Sequence, residues 1–194
     1  MISLVEGTFQ TQSIGGWILI HQNLDDSLSF NKTWSEYRNG FGSLPGNYWM
    51  GLENVRAVIS LAQTFHLRVE VQLESRSWYS AEYDSFSLGS ETASYPLSIS
   101  GYSGDIDDPL RALNGMKFST PDQVVTGAKT ACQIVCKVGW WYMYNSCLGT
   151  NFNGHSDNQP ICFGVSSGTG GNGGPSTTTQ VRPLSAARMM VKAA

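Results

Sequence analysis

Charged residues are scarce in this 194-residue chain: Lys, Arg, Asp and Glu make up 14% of it, and the formal net charge is −3. Nucleic-acid binding needs a concentrated basic surface, so the composition argues against nucleic acid as the main partner. No apolar run approaches the roughly 18 residues that a helix needs to span a bilayer. The Gly-x-Ser-x-Gly, His-Glu-x-x-His and phosphate-loop motifs are also missing, and we expect a protein that is not an enzyme.

Cysteine is absent before Cys132, and all four cysteines of the chain lie between Cys132 and Cys162. An even number of cysteines in a loop-rich region is typical of disulfides formed in an oxidising compartment. Four cysteines allow three pairings, and the spacing does not choose among them. Zinc binding is the alternative interpretation, although the paired Cys-x2-Cys motifs of structural zinc sites are absent.

Glycine and tryptophan are abundant by comparison, with 21 and 6 residues. Low charge together with many glycines and tryptophans favours a turn-rich extracellular domain over a helical cytosolic protein. The length favours one domain. The first residues contain neither a basic segment nor a long apolar one, so they do not form a signal peptide. We therefore expect a secreted, extracellular protein whose leader is not part of this chain.

Alternating apolar and polar residues predict an antiparallel sheet in the first hundred residues. The clearest case is residues 66–73, where every second residue is apolar, so that one face is buried and the other faces water. The other predicted strands are residues 17–22, 78–86 and 97–100.

Two helices are predicted between these strands. Thr33 and Glu36 have the spacing of a capping box, in which each side chain binds the backbone N–H of the other residue. This motif predicts a short helix that ends at Asn39 and Gly40. The second helix is predicted within residues 50–62, where apolar residues recur at helical spacing.

The regular pattern is lost after about residue 101. The glycine-rich residues 166–174 predict a flexible loop. Residues 184–194 are rich in alanine and methionine, and we expect them to form a frayed helix or a disordered tail.

Ten short segments resemble consecutive motifs of the fibrinogen C-terminal domain family, and they occur in the family's order. They are residues 15–22 (GGWILIHQ), 30–42 (FNKTWSEYRNGFG), 49–54 (WMGLEN), 67–70 (LRVE), 81–86 (AEYDSF), 100–104 (SGYSG), 114–122 (NGMKFSTPD), 139–142 (GWWY), 153–154 (NG) and 181–183 (VRP). On these segments the chain is identified as a member of the fibrinogen-related domains. That family includes the fibrinogen chains, ficolins, tachylectin-like lectins, angiopoietins and tenascins.

The resemblance implies an α+β fold, in which a twisted antiparallel sheet with short helices precedes a loop-rich, disulfide-bearing C-terminal subdomain. It places the domain at residues 1–183. Within it, residues 1–14 are a remnant of the N-terminal subdomain, residues 15–104 form the central sheet and residues 105–183 form the binding subdomain. Residues 184–194 follow as a tail.

The family's disulfide across the Trp-Trp segment corresponds to Cys132 and Cys147. Cys136 and Cys162 have no counterpart in the family, and a second bridge between them is the simplest expectation.

The family's calcium loop corresponds to residues 121–126. Asp122 keeps one of its two carboxylate ligands, whereas Val124 replaces the other with a side chain that cannot coordinate. Because calcium prefers several oxygen ligands, we expect at most a weak Ca²⁺ site.

In lectin-like members a pocket beside the calcium loop binds acetyl groups of sugars. By resemblance, the residues expected to contact a ligand here are Trp141, Tyr142, Tyr144, Cys147 and Asn153. Leu148 stands where the family has a histidine. We expect Trp140 to pack in the core.

The leading hypothesis is a secreted, lectin-like recognition module that binds glycans or other acetylated surface ligands. The alternatives are an adhesive or signalling module that binds a protein receptor, and a degenerate copy that folds without a ligand site. Asn31 begins an Asn-Lys-Thr glycosylation motif. Family members oligomerise through N-terminal segments that this chain lacks, and we expect the same of a longer protein.

Overall fold

A computed structural model of the chain describes residues 13–125, 132–143, 149–154, 162–167 and 178–194. The strands are β1 (Ser13–Ile14), β2 (Trp17–Asn23), β3 (Phe41–Gly42), β4 (Tyr48–Trp49), β5 (Phe65–Leu73), β6 (Trp78–Leu88), β7 (Leu97–Gly104), β8 (Phe118–Ser119), β9 (Trp140–Trp141), β10 (Cys162–Ser167) and β11 (Thr178–Ala193). The helices are α1 (Trp34–Asn39), α2 (Leu52–Ile59) and α3 (Cys132–Cys136). Among the described residues, no helix has the length and apolarity to span a membrane.

The main sheet is antiparallel and has the strand order β3-β4-β2-β11-β5-β6-β7, with β1 beside β2 and β10 beside β11. Strands β8 and β9 pair separately as a small two-stranded antiparallel sheet, which we call the β8–β9 hairpin although the two strands are distant in sequence. The predicted α+β class is therefore confirmed.

Strand β5 has the predicted alternation. Leu67, Val69 and Val71 are fully buried, whereas the residues between them face partly outward. Strand β6 pairs with β5 as expected, and its Ala81 and Tyr83 lie on the same buried face. Apolar side chains on one face of each strand therefore form the floor of the core.

The capping box at the start of α1 is confirmed. The Glu36 carboxylate accepts the Thr33 N–H at 2.8 Å, and the Thr33 hydroxyl accepts the Glu36 N–H at 3.3 Å. Gly40 ends the helix with a φ of 102°, a conformation that side-chain-bearing residues avoid. Helix α2 lies within the predicted residues 50–62.

The prediction of a frayed helix or a disordered tail at residues 184–194 is wrong, because residues 184–193 belong to β11. This strand lies between β2 and β5 and is the central strand of the sheet. Met189 and Val191 are buried against the main core, and Met190 is buried on the opposite face. Because side chains on both faces of this strand are buried, apolar and polar residues do not alternate along it. Its sequence therefore resembles that of a helix.

The position of β11 predicts unequal effects of two neighbouring substitutions. Met189→Ala removes a side chain that is 1% exposed and should lower the free energy of unfolding by about 2–4 kcal/mol. Lys192→Ala changes an exposed residue of the same strand and should cost no more than about 0.5 kcal/mol. Urea unfolding of both variants measures the difference. Equal, small effects would contradict a central strand.

Candidate functional site

Aromatic rings join the sheet to the β8–β9 hairpin. The ring of Trp141 lies 4.9 Å from that of Phe118 and 6.1 Å from that of Trp49, measured between centroids. Tyr37 of α1 packs on Phe118 at 5.2 Å. Such edge and tilted contacts stabilise beyond the burial of area alone. The hairpin is therefore fixed to the sheet by its largest side chains.

The backbone at Ser94 and Tyr95 holds the hairpin in place. The indole N–H of Trp141 donates to the Tyr95 carbonyl at 2.8 Å, and the Phe118 N–H donates to the Ser94 carbonyl at 2.8 Å. Both acceptor residues have a positive φ, 65° for Ser94 and 46° for Tyr95. Side-chain-bearing residues adopt this region at a cost of order 1 kcal/mol or more. The strained backbone therefore includes Tyr95, whose carbonyl accepts the hydrogen bond from the Trp141 indole.

A small, shallow depression, partly open to solvent, lies beside Trp141. It is lined by Leu113, by the end of the hairpin and by one C-terminal segment, namely by Leu113, Trp141, Tyr142, Met143, Gly149, Thr150 and Asn151. Trp141 and Tyr142 are only 2% and 4% exposed, so only a small part of each ring faces the depression. We call β9 and residues 149–154 together the floor segments.

Asn151 supplies the polar chemistry of the depression. Its side-chain oxygen accepts the Asn153 N–H at 3.0 Å, while its buried side-chain nitrogen has no aligned hydrogen-bond partner in the described part of the chain and lies close to the Tyr142 hydroxyl. The hydroxyl of Tyr142 donates to the Val138 carbonyl at 2.8 Å. Burial raises the pKa of this tyrosine, so its ring stays neutral. The depression therefore presents an amide donor beside aromatic carbon.

The expected ligand residues are only partly brought together. Trp141 and Tyr142 line the depression, whereas Tyr144 and Cys147 lie outside the described residues. Asn153 does not line it, because this side chain is fully buried and donates to the Gly139 carbonyl at 2.7 Å. Asn153 therefore supports the floor segments from within.

Trp140 packs in the core as predicted. It is 1% exposed, and its ring lies 5.3 Å from that of Trp141 and 5.5 Å from that of Phe152.

Asn23 of β2 fastens the floor segments to the sheet. Its side-chain amide donates to the Phe152 carbonyl at 3.0 Å and to the Gly154 carbonyl at 3.1 Å. Both bonds are buried, where a lost partner costs about 1–3 kcal/mol. Among the lining residues that the sequence analysis missed, Gly149 to Asn151 directly precede Phe152 and are positioned by this contact. No local sequence pattern indicates such a contact.

The cysteines depart from the expected pairing. Cys132 is in a disulfide, whereas Cys136 is a free thiol that is 1% exposed. The predicted bridge between Cys136 and Cys162 is therefore wrong. Burial raises the pKa of the Cys136 thiol, which lowers its reactivity. Cys147 lies outside the described residues, so its pairing with Cys132 stays a prediction.

Asp122 is tied to helix α1. Its carboxylate accepts the Trp34 N–H at 2.9 and 3.2 Å through its two oxygens, and the Thr120 hydroxyl at 2.7 Å. The Trp34 N–H is one of the donors that a helix start leaves without an intrahelical partner. A negative charge at this end is also favoured by the helix dipole. Asp122 therefore joins two distant parts of the chain.

Residues 120–125 do not fit a calcium ion. The Val124 side chain is 49% exposed and has no oxygen to offer, and the carboxylate of Asp122 already has three hydrogen-bond contacts. Calcium takes six to eight oxygen ligands. In the parts of the chain that the structure describes, no three His, Cys, Asp or Glu residues form a group that could hold a metal.

Asn31 is exposed in the segment just before α1. A glycan there would extend into solvent. Its glycosylation stays a prediction.

Comparison with known proteins identifies the family. The profile of the family described as "Fibrinogen beta and gamma chains, C-terminal globular domain" matches residues 8–169. The human fibrinogen alpha chain is 37% identical over 160 residues, which cover 75% of this chain and 18% of that protein. Bovine angiopoietin-4 is 38% identical over 141 residues, covering 72% and 28%. The chain belongs to the fibrinogen C-terminal domain family and spans less than a third of the length of these two relatives.

Solved structures share the fold. The fibrinogen-like globe domain of human ANGPTL2 has a TM-score of 0.74 and 28% identity, covering 94% of this chain and 82% of that one. Lamprey fibrin D-dimer, complexed with the peptide Gly-His-Arg-Pro-amide, also has a TM-score of 0.74, with coverages of 94% and 63%. Its identity is 22%, so it bears on the fold alone.

The environment of Asp122 predicts a structural role that calcium does not change. Asp122→Ala should lower the free energy of unfolding by about 1 kcal/mol, as the loss of a helix-capping acceptor does. The loss should be equal in millimolar Ca²⁺ and in chelator. Asp107→Ala, at an exposed loop position, is the control and should cost no more than about 0.5 kcal/mol. A calcium-dependent rise in the melting temperature of the unmodified protein would contradict this account.

Proposed function

We propose that the chain is an extracellular recognition module of lectin-like type, which binds a small acetylated group of a glycan or surface ligand in the depression beside Trp141. The module is not an enzyme in this proposal. Its family membership supports a binding role, and the extracellular setting agrees with the disulfide at Cys132.

The side-chain nitrogen of Asn151, which has no aligned hydrogen-bond partner among the described residues, is the observation that carries the proposal. A buried donor without a partner costs free energy, so a ligand that offers a carbonyl oxygen gains from meeting it. The rings of Trp141 and Tyr142 supply apolar contact for a methyl group beside that oxygen. An acetyl group combines both features.

A protein receptor is the second candidate. Ile134 of α3 and Val124 are 55% and 49% exposed, so the C-terminal part presents large apolar side chains to solvent. Apolar side chains of this kind are typical of protein contacts when they form a patch. The peptide bound to lamprey fibrin is a property of that protein. In this alternative the depression is not the contact surface.

Filling the depression separates the candidates. A side chain at Gly149 would meet only the flexible end of Met143, with its Cβ 2.9 Å from the methyl carbon, and the backbone angle there is not left-handed. Gly149→Val should therefore reduce retention on an N-acetylated sugar resin at least about tenfold, because 1.4 kcal/mol of lost contact has that effect. Gly46→Val is the matched control, since its nearest neighbour lies 3.4 Å away and outside the depression.

Retention is measured in Ca²⁺ and in chelator, with the melting temperature of each variant recorded. If the unmodified protein is not retained in either condition, the lectin-like proposal fails. Binding to a cell surface that Gly149→Val leaves intact would favour the receptor. Absence of all binding by the folded protein would favour a copy that has lost its ligand site.

A further inference from the structure

His21 lies between the sheet and the floor segments. It is fully buried in β2, opposite Met189 of β11. On one side its ring faces Phe30 at 5.7 Å and Trp49 at 5.8 Å. On the other side it faces two rings of the floor segments, Trp140 at 6.3 Å and Phe152 at 6.4 Å. Four aromatic rings from two parts of the molecule therefore enclose one imidazole.

Hydrogen bonding in this enclosure is incomplete. In the described part of the chain, neither ring nitrogen of His21 has an aligned partner, and the buried Asn153 side-chain oxygen and Trp140 indole nitrogen also lack one. Burial is the main effect on His21 and lowers its pKa to about 3, although the Asn153 side chain and the Phe152 carbonyl, which lie close to the ring, act in the opposite direction. The imidazole is therefore neutral while the contact is closed.

No charged group acts on His21 from the elements packed around it. Strand β2 and the floor segments contain no other titratable side chain. Tyr37 of α1 and Tyr48 of β4 are kept neutral by burial, which raises the pKa of both. Arg188, next to Met189, binds Glu70 away from this contact. The response of the contact to pH therefore depends on His21.

We propose that His21 makes the docking of the floor segments acid-sensitive, so that they separate from the sheet in mildly acidic solution while the sheet stays folded. Separation exposes the imidazole to water, where it takes up a proton. The proton then opposes closure, because a charged ring loses its hydration among four aromatic rings, and the uncharged Asn153 side chain and Phe152 carbonyl replace only part of it.

The sign follows from the two protonation states. An exposed histidine has a pKa of about 6.5, and the closed state lowers the pKa to about 3. The closed state therefore keeps its full stability above pH 6.5 and loses it as the pH falls toward 3. Between pH 7.5 and pH 5 the ratio of open to closed molecules should rise about 30-fold.

Local opening is favoured over global unfolding by the distribution of contacts. The floor segments are held by ring contacts, by the two Asn23 hydrogen bonds, by the hydrogen bonds of Trp141 and Thr150 to backbone carbonyls, and by the short β8–β9 pairing. Strand β5 is paired along its length on both sides. Regions with fewer buried contacts open at lower free energy than the whole molecule. The floor segments should therefore open at a lower free energy than β5.

Hydrogen exchange followed by mass spectrometry tests this directly and needs no ligand. After correction for intrinsic exchange, protection of residues 149–154 should fall about 30-fold from pH 7.5 to pH 5 and should be lower than that of β5 at both pH values. His21→Gln keeps a polar side chain but removes the titration, so its protection should be nearly independent of pH. His66→Gln, on the outer face of β5, is the control and should behave as the unmodified protein.

The proposal is overturned if His21→Gln keeps the fall, or if residues 149–154 are as strongly protected as β5. If His21→Gln does not fold, an NMR titration of the unmodified protein decides. The His21 ring resonance should titrate well below pH 6.5. Titration near 6.5 with residues 149–154 still protected at pH 5 contradicts the proposal.

Discussion

Trp49, Phe118 and Trp141 lie ring against ring where the sheet meets the β8–β9 hairpin. Their geometry fixes how the loop-rich C-terminal part stands on the sheet, because few regular backbone bonds cross between the two. The strained turn at Tyr95 and the Asn23 amide complete the junction. The depression exists because these contacts hold the hairpin and residues 149–154 side by side.

Local sequence patterns predicted the elements whose causes are local. The capping box of α1 and the alternation of β5 depend on residues within one turn or one strand, so the sequence contains the whole cause. Strand β11 was missed for the opposite reason. Its partners β2 and β5 are distant in sequence, and burial on both faces removes the alternation that identifies a strand.

The family motifs point to some residues that line the depression and to one that does not. Trp141 and Tyr142 line it, whereas the side chain of Asn153 is directed into the core. An asparagine can satisfy its amide in either direction, and only the neighbouring backbone decides which. Asp122 likewise acquires its partner, the Trp34 N–H, from a helix 88 positions away. The even number of cysteines suggested that Cys136 is in a disulfide, and only the structure shows that it is a buried free thiol.

The central position of β11 also determines when the protein can fold. The ion pair between Arg188 and Glu70 joins residues 118 positions apart, and the whole β5–β11 ladder has similar separations. Ladders of such long range form slowly. During synthesis β2 and β5 must wait, each with an unpaired edge, until residues 178–193 have left the ribosome. A nascent chain of this domain therefore exposes two unpaired strand edges until β11 has been synthesised, and such edges are sites of aggregation.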